Sequence, residues 1–417
     1  MEDEHERDGQ QGRQERRHHR REQCDACSDR DATSDGHVES LDPVEHAAGS
    51  GSSKRREGVG TRDANTSSNR PGTLSRAGLE GECRGAAAGA SRALSSSCHA
   101  GAVDFEPYRA ELVAYCYRML GSFHEAEDQV QETMLRAWKA RDRYDAGRAS
   151  LRTWLYRIAT NVCLTALEGR ARRPLPSGLG APSDDPGAPL APAFGVPWLQ
   201  PFPDARVELG LRADLRLALV AAMQTLPPRQ RAVLVLREVL EFSAAEVAVQ
   251  LGTTVPAVNS ALQRARAALA AAGEAVDAGE VGEPEDPKVR EVIERYMRAF
   301  ERADVPALVR LLTDDAVLEM PPVPLWYRGS HDYGLFMRRV FEMRGTGWGL
   351  TRLTANGQPA LAAYAPEPGG GHRLHTLQVF TVTGGRVARN VVFADPAVFE
   401  AFGLSQEILF DRSDGGR

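Results

Sequence analysis

The sequence predicts a multidomain protein: a disordered leader, two all-α helical domains, the second with a helix-turn-helix, and an α+β domain at the end. Three observations predict this. The chain has 417 residues, too many for one core when domains usually run to about 100–200 residues. Apolar residues recur at three- and four-residue steps over 105–173 and again over 207–272, as amphipathic helices require. Beyond 288 helical stretches alternate with short β-runs, punctuated by the turns Gly369-Gly370-Gly371 and Thr383-Gly384-Gly385.

Composition narrows the function classes. The chain is 42% hydrophobic and 26% charged, as a soluble globular protein is, and no stretch reaches the roughly 18 apolar residues of a membrane span. The amino terminus lacks an apolar signal region, so a cytoplasmic address and no membrane partner are expected. The net charge of -6 is a whole-chain sum and does not exclude a local basic patch. Cys116 and Cys163 fall among apolar residues in helical patterns and read as core residues of a reduced protein. Cys24 and Cys27 form a CxxC near His18 and His19, but a structural zinc site needs four ligands held by a fold. No metal or other cofactor is expected.

Residues 1–102 are rich in Arg, Glu, Asp, Gly and Ser and cannot offset the entropy of ordering. This leader reads as a charged tail or as the product of a mis-assigned start. The first helical domain, 103–173, opens with Phe105, Tyr108, Leu112, Tyr115 and Met119 on one stripe. A second helix over 124–140 places Ala126, Val130, Met134, Ala137 and Trp138 on its apolar side, and a third covers 151–169. Residues 174–206 form a Pro/Gly-rich linker. Within it, Trp198-Leu199-Gln200-Pro201-Phe202-Pro203-Asp204 reads either as incidental packing or as a docking island.

In the second helical domain, 207–272, Ser243-Ala244-Ala245-Glu246 is a capping box. Gly252 suits a left-handed helix end, and Thr253 or Thr254 can cap a next helix that tolerates Pro256 in its first turn. Val255, Val258, Leu262, Ala265 and Leu269 form that helix's buried stripe. Asn259, Ser260, Gln263, Arg264 and Arg266 fall outside it, the arrangement of a DNA-reading helix-turn-helix, although an ordinary helical hairpin shares the grammar. A second linker spans 273–287. In the last domain, 288–405, a helix carries Val289, Ile293, Tyr296 and Phe300, and residues 307–312 continue helical. A strand at 316–320 and a helix at 332–342 come next, then strands at 350–354, 359–364, 373–382 and 386–393, together a curved sheet wrapped on helices.

Three motifs, in this order and spacing, carry a family resemblance over about 105–404. They are Ala126-Glu127-Asp128-Gln129-Val130-Gln131-Glu132 with Trp138, then Leu151-Arg152-Thr153-Trp154-Leu155-Tyr156-Arg157-Ile158-Ala159-Thr160-Asn161, and Leu226-Pro227-Pro228-Arg229-Gln230-Arg231 ahead of the helix-turn-helix. The chain resembles sigma-70 class factors of the extracytoplasmic-function type that bear a carboxy-terminal SnoaL-like domain, a cone-shaped fold. The resemblance implies a protein that is not an enzyme, with core RNA polymerase (the β′ clamp and the β flap) and promoter DNA as partners.

The resemblance also assigns residues. Asp128, Gln131 and Glu132 would dock on the polymerase clamp helices. Arg148, Arg152, Trp154, Tyr156, Arg157 and Asn161, backed by Arg170, Arg172 and Arg173, would melt and hold the minus-ten element, where aromatic faces stack on unpaired bases and cations neutralise phosphates. Trp154 fits packing and stacking equally well. Thr254, Asn259, Ser260, Gln263, Arg264 and Arg266 would read the minus-thirty-five element, with Arg229 and Arg231 positioning the DNA backbone. The SnoaL-like domain would modulate polymerase engagement, with Trp198, Trp326 and Tyr327 as regulatory contacts. Asp315, Glu319, His375 and Asp395 are acid-base residues by type but show no telling spacing, and a small ligand for the pocket stays open. A conventional helix-turn-helix regulator leaves the Asp128–Trp138 motif unexplained; a fused cyclase or isomerase needs a proton-transfer pair in the pocket.

Overall fold

The computed structural model describes residues 104–206, 215–271 and 282–408. The leader with its CxxC, the residues 207–214 and most of the second linker lie outside the described residues. Three helices make the first domain: α1 (Arg109–Leu120), α2 (Phe123–Ala140) and α3 (Leu151–Leu167). Ser122 and Ser150 cap α2 and α3 by accepting from the backbone N–H of Glu125 and Thr153, which satisfies amides that a helix start leaves free. Leu112, Tyr115, Cys116 and Met119 of α1 share a core with Ala126 and Val130 of α2 and Leu155, Ala159 and Cys163 of α3. Both cysteines are buried, free and in contact, with Sγ atoms 3.5 Å apart.

Among the described residues the second domain has four helices: α4 (Leu217–Gln224), α5 (Pro228–Leu234), which runs on as a π-helical turn at Val235–Val239, α6 (Ala244–Leu251) and α7 (Val255–Ala271). The capping box at Ser243 and Glu246 forms, Gly252 takes the left-handed conformation at φ 60°, and the Thr254 hydroxyl accepts from the Ala257 N–H. Of the expected stripe Val258, Leu262 and Ala265 are buried, but Val255, in the first turn, is exposed and Leu269, near the end, is half-buried; α6 and α7 still make the expected helix-turn-helix.

The third domain packs α8 (Pro287–Glu301), α9 (Val305–Val309) and α10 (Ser330–Arg344) on a curved sheet, with α11 (Pro396–Ala401) following it. Its strands are β1 (Leu312–Met320), β2 (Val323–Arg328), β3 (Gly349–Ala355), β4 (Gln358–Pro366), β5 (His372–Thr383), β6 (Arg386–Phe393) and β7 (Glu407–Ile408). They run in the order β2-β1-β6-β5-β4-β3, with β7 on β5 and only β1–β6 parallel. Two expectations are corrected. The helix expected over 307–312 ends at Val309, and β1 begins at Leu312; Asp314 and Asp315 point to solvent, which masks its alternation. Strand β2 carries no strand signal in the sequence because Pro324 interrupts it, as an edge strand tolerates.

The 174–206 segment is not the loose tether its composition suggests. Pro174, Leu175, Pro176, Leu199 and the run 201–204 are buried. Leu199 lies against Gly121, where an added Cβ would come within 2.9 Å of its Cδ1. Gly121 also ends α1 at φ 71°, so both backbone conformation and close approach require glycine there.

Candidate nucleic-acid interface

Along α2 the side chains of Asp128, Gln131, Leu135 and Trp138 are exposed and Glu132 is half-buried. Steps of three and four residues put them on one helix face. The helical pattern puts Trp138 on the apolar side, but it is 53% exposed, with the Arg141 guanidinium 4.2 Å from its ring centroid. The Glu132 carboxylate meets Arg136 at 2.6 Å. The face is thus acidic at one end and apolar at the other.

Helix α3 and the loop before it separate the six minus-ten candidates. Arg148, Arg157 and Asn161 are exposed. Trp154 is half-buried between Tyr144 and Phe105, with ring centroids at 5.2 and 6.2 Å, so packing is one of its roles. Arg152 turns inward: Nε donates to Glu111 at 3.2 Å, a terminal nitrogen donates to the Leu240 carbonyl at 3.5 Å, and the guanidinium stands 4.9 Å from the Phe242 ring. Tyr156 is wholly buried, edge-on to Tyr115 at 5.2 Å and to Phe242 at 5.4 Å. Burial, with the Glu111 charge adding to it, holds the Tyr156 phenol well above its ordinary pKa. Leu240 and Phe242 lead into α6, so the second domain covers part of the surface expected to meet DNA.

On α7 the reverse holds. Thr254, Asn259, Ser260, Gln263, Arg264 and Arg266 are all exposed, and Arg266 pairs with Glu238 at 2.8 Å. Arg229 is exposed, but Arg231 is 3% exposed and does not face a DNA surface here. Its guanidinium bonds the carbonyls of Met119, Gln224 and Leu226 and the Gln224 side chain. It therefore stitches α5 to the end of α1.

The third domain holds this arrangement through residues that sequence reasoning missed. Asn356, at φ 57° in the turn between β3 and β4, exchanges two hydrogen bonds with Phe202 and donates to the Tyr117 hydroxyl and the Leu215 carbonyl. Gly357 N–H donates to both carboxylate oxygens of Asp204, at 2.9 and 3.0 Å. The Gln358 side chain accepts from the Leu217 N–H. One hairpin tip thus ties α1, the linker and the approach to α4. The signal was present: Asn356-Gly357 between two strands is a strong short-range hairpin signature.

The linker also runs along the β1–β2 edge. Buried Glu319 accepts from Ser177 N–H at 2.9 Å while paired with Arg389 at 2.7 Å. The Trp326 indole donates to Gly180, the Tyr327 hydroxyl to Asp185, and Arg339 to Pro186 and Ala188. Trp198 instead bonds Ala193 within the linker. The remaining acid-base residues do not meet in the cone: Asp395 caps α11 and Asp315 faces solvent. The His375 ring packs tilted against Trp348, centroids 5.4 Å apart, its pKa lowered to about 4 by burial and then by the charge of Arg344. Inside the cone Tyr296, Tyr333, Asn390 and Gln378 form a buried hydrogen-bonded chain.

Comparison with known proteins gives three family matches along the chain. The Sigma-70 region 2 family matches residues 105–173, Sigma-70 region 4 matches 216–269, and the SnoaL-like domain matches 293–390. Regions 2 and 4 on one chain define a class, the RNA polymerase subunits that recognise promoters and start transcription. Within that class the chain belongs to the extracytoplasmic-function (ECF) sigma factors. It is 48% identical to the ECF RNA polymerase sigma factor SigG of Mycobacterium tuberculosis over 73% of this chain and 83% of that one. It is 30% identical to SigJ of the same species, over 73% of this chain and 94% of the relative. The crystal structure of that SigJ superposes with a TM-score of 0.51 at 25% identity, covering 72% of this chain and 99% of the other. Among the described residues no helix is long and apolar enough to cross a membrane.

Proposed function

We propose that this sigma factor rests in a closed state in which the SnoaL-like domain and the linker hold region 4 over the minus-ten surface of region 2. The cover of Arg152 and Tyr156 by Leu240 and Phe242 carries this reading. The polymerase-binding face of α2 stays accessible. Asp128, Gln131 and Glu132 dock on the β′ clamp through charge-assisted bonds, and Leu135 and Trp138 extend that face with apolar surface. Region 4 engages the β flap. Moving region 4 away frees Arg152 and Tyr156 to join Arg148, Trp154, Arg157 and Asn161 at the melted minus-ten element, while α7 reads the minus-thirty-five duplex. Arg229 contacts the DNA backbone; Arg231 acts as an internal brace.

The SnoaL-like domain serves as a regulatory scaffold and not as an enzyme, a reading supported by the structural bonds of Glu319 and Asp395 and by the lowered pKa of His375. Trp326 and Tyr327 act by gripping the linker. The protein works in the cytoplasm, where its polymerase is. Transcription reconstituted with core enzyme, followed by sequencing of transcript starts, tests the proposal. Specific starts are expected, with core binding weakened in the Asp128→Ala/Glu132→Ala double variant; undiminished core binding in that variant overturns the docking assignment.

A further inference from the structure

A cleft of about 410 Å³ opens between the end of α1, the segment after α3 and the α4–α5 turn. Arg170, Arg172, Arg173 and Arg231 line it, with Glu125 as the single carboxylate. That carboxylate is already shared, since its Oε1 accepts from Arg170 at 2.8 Å and from Arg173 at 2.7 Å. Arg172 donates to the Gly178 carbonyl. Arg231 donates only to uncharged oxygens, and its Nε makes no hydrogen bond among the described residues.

Positive charge is therefore in excess in a concave site. Burial lowers the pKa of Arg231 to about 10, which still leaves it charged at neutral pH. Holding a buried cation without an anionic partner is costly, and low-dielectric walls focus its field into the cleft. Guanidinium groups match phosphate oxygens in pairs, and the volume falls in the range of about 300–1,000 Å³ typical of small-molecule sites.

We propose that this cleft binds a compact phosphate-bearing anion, of the pyrophosphate or nucleoside-polyphosphate class, which clamps region 2 to region 4. A compact anion fits better than a duplex because two of the arginines are recessed: the side chain of Arg173 is 15% exposed and Arg231 less still. A DNA backbone would reach Arg170 and Arg172 but not these. Bound anion would supply the charge that Glu125 divides between two partners.

Calorimetric titration of the full chain with pyrophosphate tests the site. One equivalent is expected to bind and to raise the melting temperature. The Arg170→Gln/Arg172→Gln variant, both positions exposed, should keep its circular dichroism spectrum and bind at least tenfold more weakly. No saturable binding at millimolar pyrophosphate, or equal binding by the variant, overturns the proposal. Adding a nonspecific DNA duplex distinguishes the two sources of phosphate: pyrophosphate should stay bound, and its displacement by duplex would reassign these arginines to DNA.

Discussion

Helices α3 and α7 carry the two proposed promoter-reading surfaces, and the chain treats them in opposite ways. On α7 every proposed reading residue faces solvent; on α3 Tyr156 is buried and Arg152 is held by Glu111, Leu240 and Phe242. Both helices have sound caps and comparable length, so the difference does not arise from local structure. It arises from tertiary packing. Region 4 can hide one surface while presenting the other, and the hairpin tip at Asn356 together with the bound linker fixes it in that position.

The largest test of this contrast is at the hairpin tip. Asn356→Ala removes buried hydrogen bonds to Phe202, Tyr117 and Leu215, each worth about 1 kcal/mol net. With a loss of about 3 kcal/mol the closed state should weaken by roughly a hundredfold. Fluorescence anisotropy should show tighter binding of a single-stranded minus-ten oligonucleotide, with minus-thirty-five duplex binding unchanged. Arg264→Ala should do the opposite: duplex binding falls by about 2 kcal/mol, roughly thirtyfold, while single-strand binding and thermal stability stay as they are.

Phe242→Ala removes an edge-to-face contact and a cation–π contact from the cover, about 1–2 kcal/mol together. Amide hydrogen exchange over 151–157 should speed up by about tenfold, and exchange in α7 should not. Ser243→Ala is the smallest change, costing about 1 kcal/mol at the start of α6. The Ser243 hydrogen bonds hold the Glu246 carboxyl below its ordinary pKa, so the cap stabilises at neutral pH and its contribution is lost as acidification protonates Glu246. Acid titration of the melting temperature should therefore be shallower in the variant.

Much of this arrangement could be read from the chain. The caps at Ser243 and Thr254 and the buried residues Val258, Leu262 and Ala265 fix the helix-turn-helix locally, and β4, β5 and β6 can be placed because the turns between them are marked by glycine. The burial of Tyr156 and Arg231 could not be read, because each depends on partners far along the chain: Phe242 for the first, Met119 for the second. The linker misled for a related reason. Proline and glycine remove helix and strand signals, yet an extended segment can still be fixed by its backbone groups, as at Ser177, Gly180 and Asp185. Trp198 in the docking island and Asn356-Gly357 in the hairpin were visible; that the hairpin tip meets the end of that island was not.

The central claim is that region 4 leaves region 2 when polymerase binds. Spin labels at the exposed positions 157 and 260 measure it directly, one on each of the two helices proposed to read the promoter. In the free protein a single narrow distance distribution is expected, and addition of core polymerase should move it to longer distances. A distribution unchanged by core enzyme would contradict the account.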